Sequence, residues 1–138
     1  MIAYTEWKSE RVFVGTAENG NTLLFDGDPA HKHGPSPMEA VLMALCGCTS
    51  VDVVSILEKK RQALTGLRVS AVAEQAATAP KVFTRIKLTY AVSGKLNRKA
   101  VEDAVALSKE KYCSVSLMLD KAAEIDYEIV FVDGEPEP

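Results

Sequence analysis

Apolar and polar residues alternate most cleanly from Val82 to Val92, with Val82, Thr84, Ile86, Leu88, Tyr90 and Val92 on one side and Phe83, Arg85, Lys87 and Thr89 on the other. A period of two over that length predicts a strand with one covered face. Leu67, Val69, Ala71 and Ala73 repeat the pattern, and Gln75 to Pro80 would join the two as a hairpin. Ile2–Trp7, Val12–Gly15 and Thr22–Phe25 are shorter stretches of the same kind. With the turn residues Asn19-Gly20 ahead of the third, they read as a three-stranded meander. Ile125, Tyr127, Ile129 and Phe131 supply a last strand.

Helical rhythm takes over elsewhere. Ser36-Pro37-Met38-Glu39 combines a capping hydroxyl, a proline preset for the first helical position and a glutamate that can reach back to the cap. The helix it opens runs to about Lys60. Ala40 to Cys48 holds no charge, which predicts a core helix buried on nearly all sides; that run alone is far shorter than the ~20 apolar residues a membrane span needs. Asn97 caps a second helix from Arg98 to Lys111, with Val101, Ala104, Val105 and Ser108 facing inward. Ser114 caps a third, reaching Ala123. Three strands, a long helix, two strands, two helices and a strand predict an α+β fold of antiparallel sheet with helices on one face. At 138 residues the chain is expected to be a single domain over residues 1–138, with Asp133–Pro138 a disordered polar tail.

Charge narrows the function. A net charge of −3, with lysines and arginines scattered among carboxylates, leaves no basic stripe for nucleic acid. Glu6, Lys8, Glu10 and Arg11 stand where a secretory signal would need an apolar run. The expectation is a cytoplasmic protein with no nucleic-acid or membrane partner. Three cysteines are an odd number for a disulfide framework, which points to free or redox-active thiols.

The cysteines are not equivalent. Cys46 and Cys48 are two positions apart on one helix, so they point ~200° apart and cannot bridge. Cys46 shares its side with Leu42, Met43, Val53 and Leu57 and reads as a small buried hydrophobe. Cys48 shares its side with Asp52, Ser55 and Lys59, either a thiol placed for chemistry or a stripe that meets solvent. Cys113 falls at or just before a helix start, where unpaired N–H groups favour a thiolate. A thiol peroxidase needs an attacking thiolate and a second thiol to resolve the sulfenic acid. Cys48 and Cys113 can fill those roles only if the fold brings their Cα atoms within ~7 Å. His31 and His33, just ahead of the long helix, are either solvated loop side chains or, with a cysteine, a metal site.

Ser36-Pro37-Met38-Glu39, the segment Cys46-Gly47-Cys48-Thr49-Ser50-Val51-Asp52-Val53-Val54-Ser55-Ile56-Leu57, the strand Phe83-Thr84-Arg85-Ile86 and Lys111-Tyr112-Cys113-Ser114-Val115-Ser116 together resemble the OsmC/Ohr family, in its YhfA-like branch. The resemblance implies an intertwined homodimer, antiparallel sheets around a long central helix, and two sites near the subunit interface. It also implies reduction of organic hydroperoxides by Cys48 with Cys113 as the resolving thiol, without a cofactor or metal, and with recycling by a thiol reductant that the sequence does not name. Catalytic members place an arginine from the N-terminal hairpin beside the attacking cysteine and hold it with a glutamate near the start of the central helix. Here Glu39, whose capping role also accounts for it, occupies the glutamate's neighbourhood, while the arginine motif of the family is not matched and Arg11, the only arginine in the N-terminal strands, is the candidate for that role. Asp52, one turn from Cys48, opposes a thiolate there by like-charge repulsion, so the attacking role calls for a cation nearby. Nine residues put Glu39 ~13.5 Å along the axis from Cys48 and on the opposite side, so any service to Cys48 passes through a dimer interface or a bridging arginine. The alternative function is a non-catalytic OsmC-like protein that binds a small apolar ligand in the cleft between subunits.

Overall fold

The computed structural model describes residues 1–136. The chain comprises two compact units, Met1–Met43 and the residues from Ala44 onward.

In the first unit, strands β1 (Ala3–Ser9), β2 (Val12–Ala17) and β3 (Thr22–Asp26) form the antiparallel meander in the order β1-β2-β3. A bulge between Trp7 and Ser9 turns β1 into β2, with Glu10 at φ 48°. Every residue of β1 is exposed, and Val12 and Asp26 are the buried residues of this unit. The loop that follows is built on Asp26, whose carboxylate accepts from the backbone N–H of Asp28 at 2.9 Å and of His33 at 3.1 Å.

Helix α1 (Pro37–Lys59) begins with the reciprocal cap its sequence announces. Glu39 N–H donates to Ser36 Oγ at 3.1 Å, and Ser36 N–H donates to Glu39 Oε1 at 2.9 Å. The expectation of burial on nearly all sides does not hold. Within the chain only Leu45, Thr49, Val53 and Leu57 are buried, a stripe repeating every four residues; Met43 and Val51 on other sides are exposed. By length and composition the whole helix also meets the requirement for a membrane span, which the run from Ala40 to Cys48 alone did not.

The second unit carries the main sheet, in the order β4-β5-β6: β4 (Ala63–Gln75), β5 (Phe83–Lys95) and β6 (Glu124–Phe131). Ile86, Leu88, Tyr90 and Val92 are buried as the alternation predicts. At Phe83 the phase slips, because a register shift between Glu74 and Gln75 lets Phe83 turn inward while Thr84 is exposed. Gly94 sits at φ +118°, where an added Cβ would lie 2.0 Å from the Ala63 carbonyl oxygen, so no other residue fits that crossing.

One pairing departs from the antiparallel expectation, since β6 runs parallel to β5. The reason is the connection. Parallel neighbours need a long crossover, and here it consists of α2 (Arg98–Leu107), a π-helical turn (Ser108–Tyr112) and α3 (Ser114–Leu119). Asn97 caps α2 by accepting from Ala100 N–H at 3.0 Å. The second helix ends four residues earlier than its pattern suggested, and α3 is capped by Cys113, not Ser114. On the outer side of the sheet Arg85 pairs with Glu124 and Asp126, and Lys87 with Glu128. In the tail expected to be disordered, Asp133 accepts from Gly94 N–H at 2.8 Å and Glu135 pairs with Arg98; residues 137–138 lie outside the described residues.

Candidate thiol site

The second unit brings Cys48 and Cys113 together. They are 65 positions apart in sequence, yet Cys48 lies close enough to raise the Cys113 thiol by its presence. Cys48 is half-buried on α1, whereas Cys113 is fully buried at the start of α3. All three cysteines are free.

Two effects compete at Cys113. Its sulfur caps α3 by accepting from Ser116 N–H at 3.4 Å, the helix-start interaction expected to favour a thiolate. Burial wins. It pushes the Cys113 thiol up to about 11, against the pull of the Ser116 N–H and with further upward contributions from the contact with Cys48 and the charge of Asp52. Cys113 is thus held as a thiol at neutral pH, as a resolving residue can be and an attacking one cannot.

Cys46 is half-buried, and burial also raises its thiol. Of the four residues expected to share its side, Val53 and Leu57 are buried and Met43 is exposed.

Beside the thiols lies a hydrogen-bonded row of side chains. Tyr90 Oη and Thr49 Oγ1 are 2.7 Å apart, Thr49 Oγ1 and Ser108 Oγ another 2.7 Å, and Ser108 donates to Asp52 Oδ2 at 2.8 Å. Tyr90, Thr49 and Ser108 are wholly buried. Burial drives the Tyr90 phenol up to about 12, with the Thr49 hydrogen bond opposing. Sequence reasoning placed Ser108 and Tyr90 on inner faces but gave them no role. The signal available was a polar residue at an apolar phase, which Thr49, in the buried stripe of α1, also shows. Asp52 opens further onto a cavity of about 550 Å³ lined with Ser55, Ile56, Lys59, Lys60, Leu107 and Tyr112.

Glu39 and Arg11 belong to the first unit. Arg11 is exposed and its guanidinium donates to the Glu10 carbonyl at 3.1 Å. Among the described residues no ion pair joins it to Glu39. The basic group at Glu39 is His31, whose Nε2 lies 3.9 Å from Glu39 Oε1 while its Nδ1 meets the Asp26 carbonyl at 3.0 Å. Hydrogen bonds from Ser36, backbone first and side chain second, hold the Glu39 carboxyl below its ordinary value, and His31 adds to them. Among the described residues no three His, Cys, Asp or Glu side chains are grouped to hold a metal.

Residues 28–128 match the family described as OsmC-like protein. The chain belongs to the OsmC-like family. It is 47% identical to protein YhfA of Escherichia coli K12 over 133 residues, covering 94% of this chain and 98% of that one. Among solved OsmC-like folds, a hypothetical protein from Aquifex aeolicus superposes with a TM-score of 0.81 at 32% identity, covering 94% of this chain and 96% of that one. The organic hydroperoxide resistance protein OhrB of Bacillus subtilis superposes with a TM-score of 0.64 at 18% identity, covering 94% and 98%, a likeness of fold.

Proposed function

We propose that this OsmC-like protein is a cysteine-dependent thiol peroxidase that reduces organic hydroperoxides. Cys48 attacks the terminal peroxide oxygen, the alcohol leaves, and the sulfenic acid formed on Cys48 condenses with Cys113 to a disulfide and water. An external thiol reductant then restores both cysteines. The observation that carries this reading is the meeting of a half-buried thiol with a buried one across 65 positions of sequence. The name of the structurally similar Bacillus subtilis protein, organic hydroperoxide resistance protein, supports it.

The working unit is a homodimer in the cytoplasm. Support for a second copy comes from the apolar side chains left exposed on α1, Met43 and Val51, and on the meander, Trp7 and Leu23. Arg11 supplies the cation for the Cys48 thiolate and Glu39 steadies it, both acting through that assembly. One observation favours the second reading, a non-catalytic binder of a small apolar ligand: among the described residues the basic group at Glu39 is a histidine, and the Arg11 guanidinium donates to its own neighbour, Glu10.

Exposure to cumene hydroperoxide separates the two. The peroxidase consumes it faster than hydrogen peroxide and forms a Cys48–Cys113 disulfide seen by peptide mapping. Cys48→Ser abolishes consumption, whereas Cys113→Ser reacts once and leaves a sulfenic acid that dimedone traps. Both cysteines still reduced, with no peroxide consumed, would overturn the peroxidase and promote the ligand-binding protein. If Arg11 is the cation, Arg11→Ala slows the reaction about tenfold or more, the worth of a lost charge contact of ~1.4 kcal/mol.

A further inference from the structure

The row Tyr90, Thr49, Ser108, Asp52 has a direction that follows from counting protons. Each hydroxyl has one to give. Ser108 gives its own to the Asp52 carboxylate and has only lone pairs left for Thr49. Thr49 therefore donates to Ser108, and Tyr90 donates to Thr49. Three buried hydroxyls point the same way, and hydrogen bonds in series polarise one another in a low-dielectric interior. They hold the carboxylate in one place.

That place is beside both thiols. Asp52 follows Cys48 by four positions on α1, one helical turn, which makes their side chains neighbours on one side of the helix. Its charge reaches Cys113. Ser108 binds the other edge of the site twice over, since its hydroxyl holds Asp52 while its carbonyl accepts the Cys113 N–H at 2.8 Å. The peroxidase reaction leaves one requirement unmet in this setting. With its thiol at about 11, Cys113 is thiolate in only roughly one molecule in 10⁴ at pH 7, so resolution needs somewhere for the proton to go.

Resting on the peroxidase reading, we propose that Asp52 is the proton shuttle of the resolving step, with Tyr90, Thr49 and Ser108 as positioning residues that keep its carboxylate in line. As Cys113 sulfur attacks the sulfenic sulfur of Cys48, the sulfur–sulfur bond forms and the sulfur–oxygen bond breaks. Asp52 takes the thiol proton and passes a proton to the departing oxygen, which leaves as water. The carboxylate is regenerated. The two-electron oxidation belongs to the earlier step, in which the organic hydroperoxide became an alcohol, so no further oxidant enters.

The test compares the full-length protein in a Cys46→Ala background with the same protein carrying Asp52→Asn, which keeps an oxygen for Ser108 and removes the proton acceptor. After one equivalent of cumene hydroperoxide, alcohol should appear at least as fast as in the parent, because the substitution lifts the like-charge repulsion that opposes the Cys48 thiolate. Disulfide formation should slow by about 10²-fold or more, the usual worth of a positioned acid–base group, while dimedone-reactive Cys48 accumulates. The slowed step should then rise about tenfold per pH unit, because only spontaneously ionised Cys113 reacts. Tyr90→Phe, which deletes the far hydroxyl, should slow the step severalfold without imposing that steep pH dependence. A second arm needs no peroxide: Cys48 is loaded with thionitrobenzoate, and closure by Cys113 is followed as release of that group. Closure that is Asp52-dependent in a protein that consumes no hydroperoxide would overturn the peroxidase and leave the shuttle standing. Asp52→Asn closing at the parent rate in both arms would overturn the shuttle.

Discussion

In the unit that ends at Met43, only Val12 and Asp26 are buried, and Trp7, Leu23 and Ile2 lie more than half exposed. From Ala44 onward, Leu45, Val53, Leu57, Ile86, Leu88, Val101 and Val105 are all at 0%. Both units contain apolar strands of similar character, so composition does not explain the contrast. The second unit supplies its own helices to cover its sheet, and the first does not. The thiols sit where the chain finishes its own core, and the candidate cation sits where it does not.

Substitution at matched apolar positions tests this contrast most severely. Leu88→Ala should cost ~2–5 kcal/mol by denaturant unfolding, as loss of a fully buried leucine does. Trp7→Ala should cost the isolated chain less than ~0.5 kcal/mol, as an exposed position does. In the proposed dimer the same change should raise the dissociation constant about tenfold or more, read by light scattering against concentration. A monomer at micromolar concentration that is indifferent to Trp7→Ala would mean that the exposed face is simply solvated.

The alkaline limb should set the units apart, whereas both carry carboxyls that respond to acid. Hydrogen bonds from Asp28 and His33 hold Asp26 below its ordinary value, with burial opposing, and Ser36 does the same for Glu39. A lowered carboxyl stabilises above its unfolded value and loses that contribution as pH falls, so the first unit should loosen below about pH 4. Asp103, held down by Lys99, is an acid-sensitive group of the second unit. Cys113 and Tyr90 are raised to about 11 and about 12 from ordinary values of 9.0 and 10.0. A raised acid stabilises while protonated, so the second unit should weaken as pH rises from about 9 through about 12. Hydrogen exchange resolved by segment would report the two limbs, and a shared alkaline midpoint for both units would dissolve the distinction.

Smaller effects sharpen it. Ser36→Ala should cost ~1 kcal/mol through the lost cap, with thermal unfolding as the measure. Cys46→Ala should cost less than ~1 kcal/mol and leave the proposed peroxide consumption intact. Loss of consumption with the fold preserved would put the attacking thiol at Cys46.

The capping box at Ser36 and Glu39, the Asn97 cap, the meander and the inner face from Ile86 to Val92 were all legible, because each depends on residues close together in sequence. The parallel β5–β6 pairing was not, since nothing in the alternation of Ile125 to Phe131 records which neighbour it will meet or in which direction. Cys48 and Cys113 were legible as residues of interest, but their adjacency rests on a crossover that no local pattern encodes. The ionisation of Cys113 was misjudged for the same reason: the cap is a local feature, whereas the burial that outweighs it belongs to the finished fold. Glu39 was read as acting across a dimer interface or through a bridging arginine, and the basic neighbour it has within the described residues, His31, lies in a loop that gave no such signal.

The π-helical turn from Ser108 to Tyr112 measures out distance by residue count. The Ser108 carbonyl meets the Cys113 N–H five positions on, while Lys109, Glu110, Lys111 and Tyr112 between them are not buried. Those four side chains are free to drift, but their number is not. A single insertion or deletion would swing the following thiol by roughly a quarter turn, ~100°, out of line with Cys48. Across related chains this segment should therefore tolerate change in spelling and resist change in length, and an alignment gap there should mark a protein without the proposed paired-thiol chemistry.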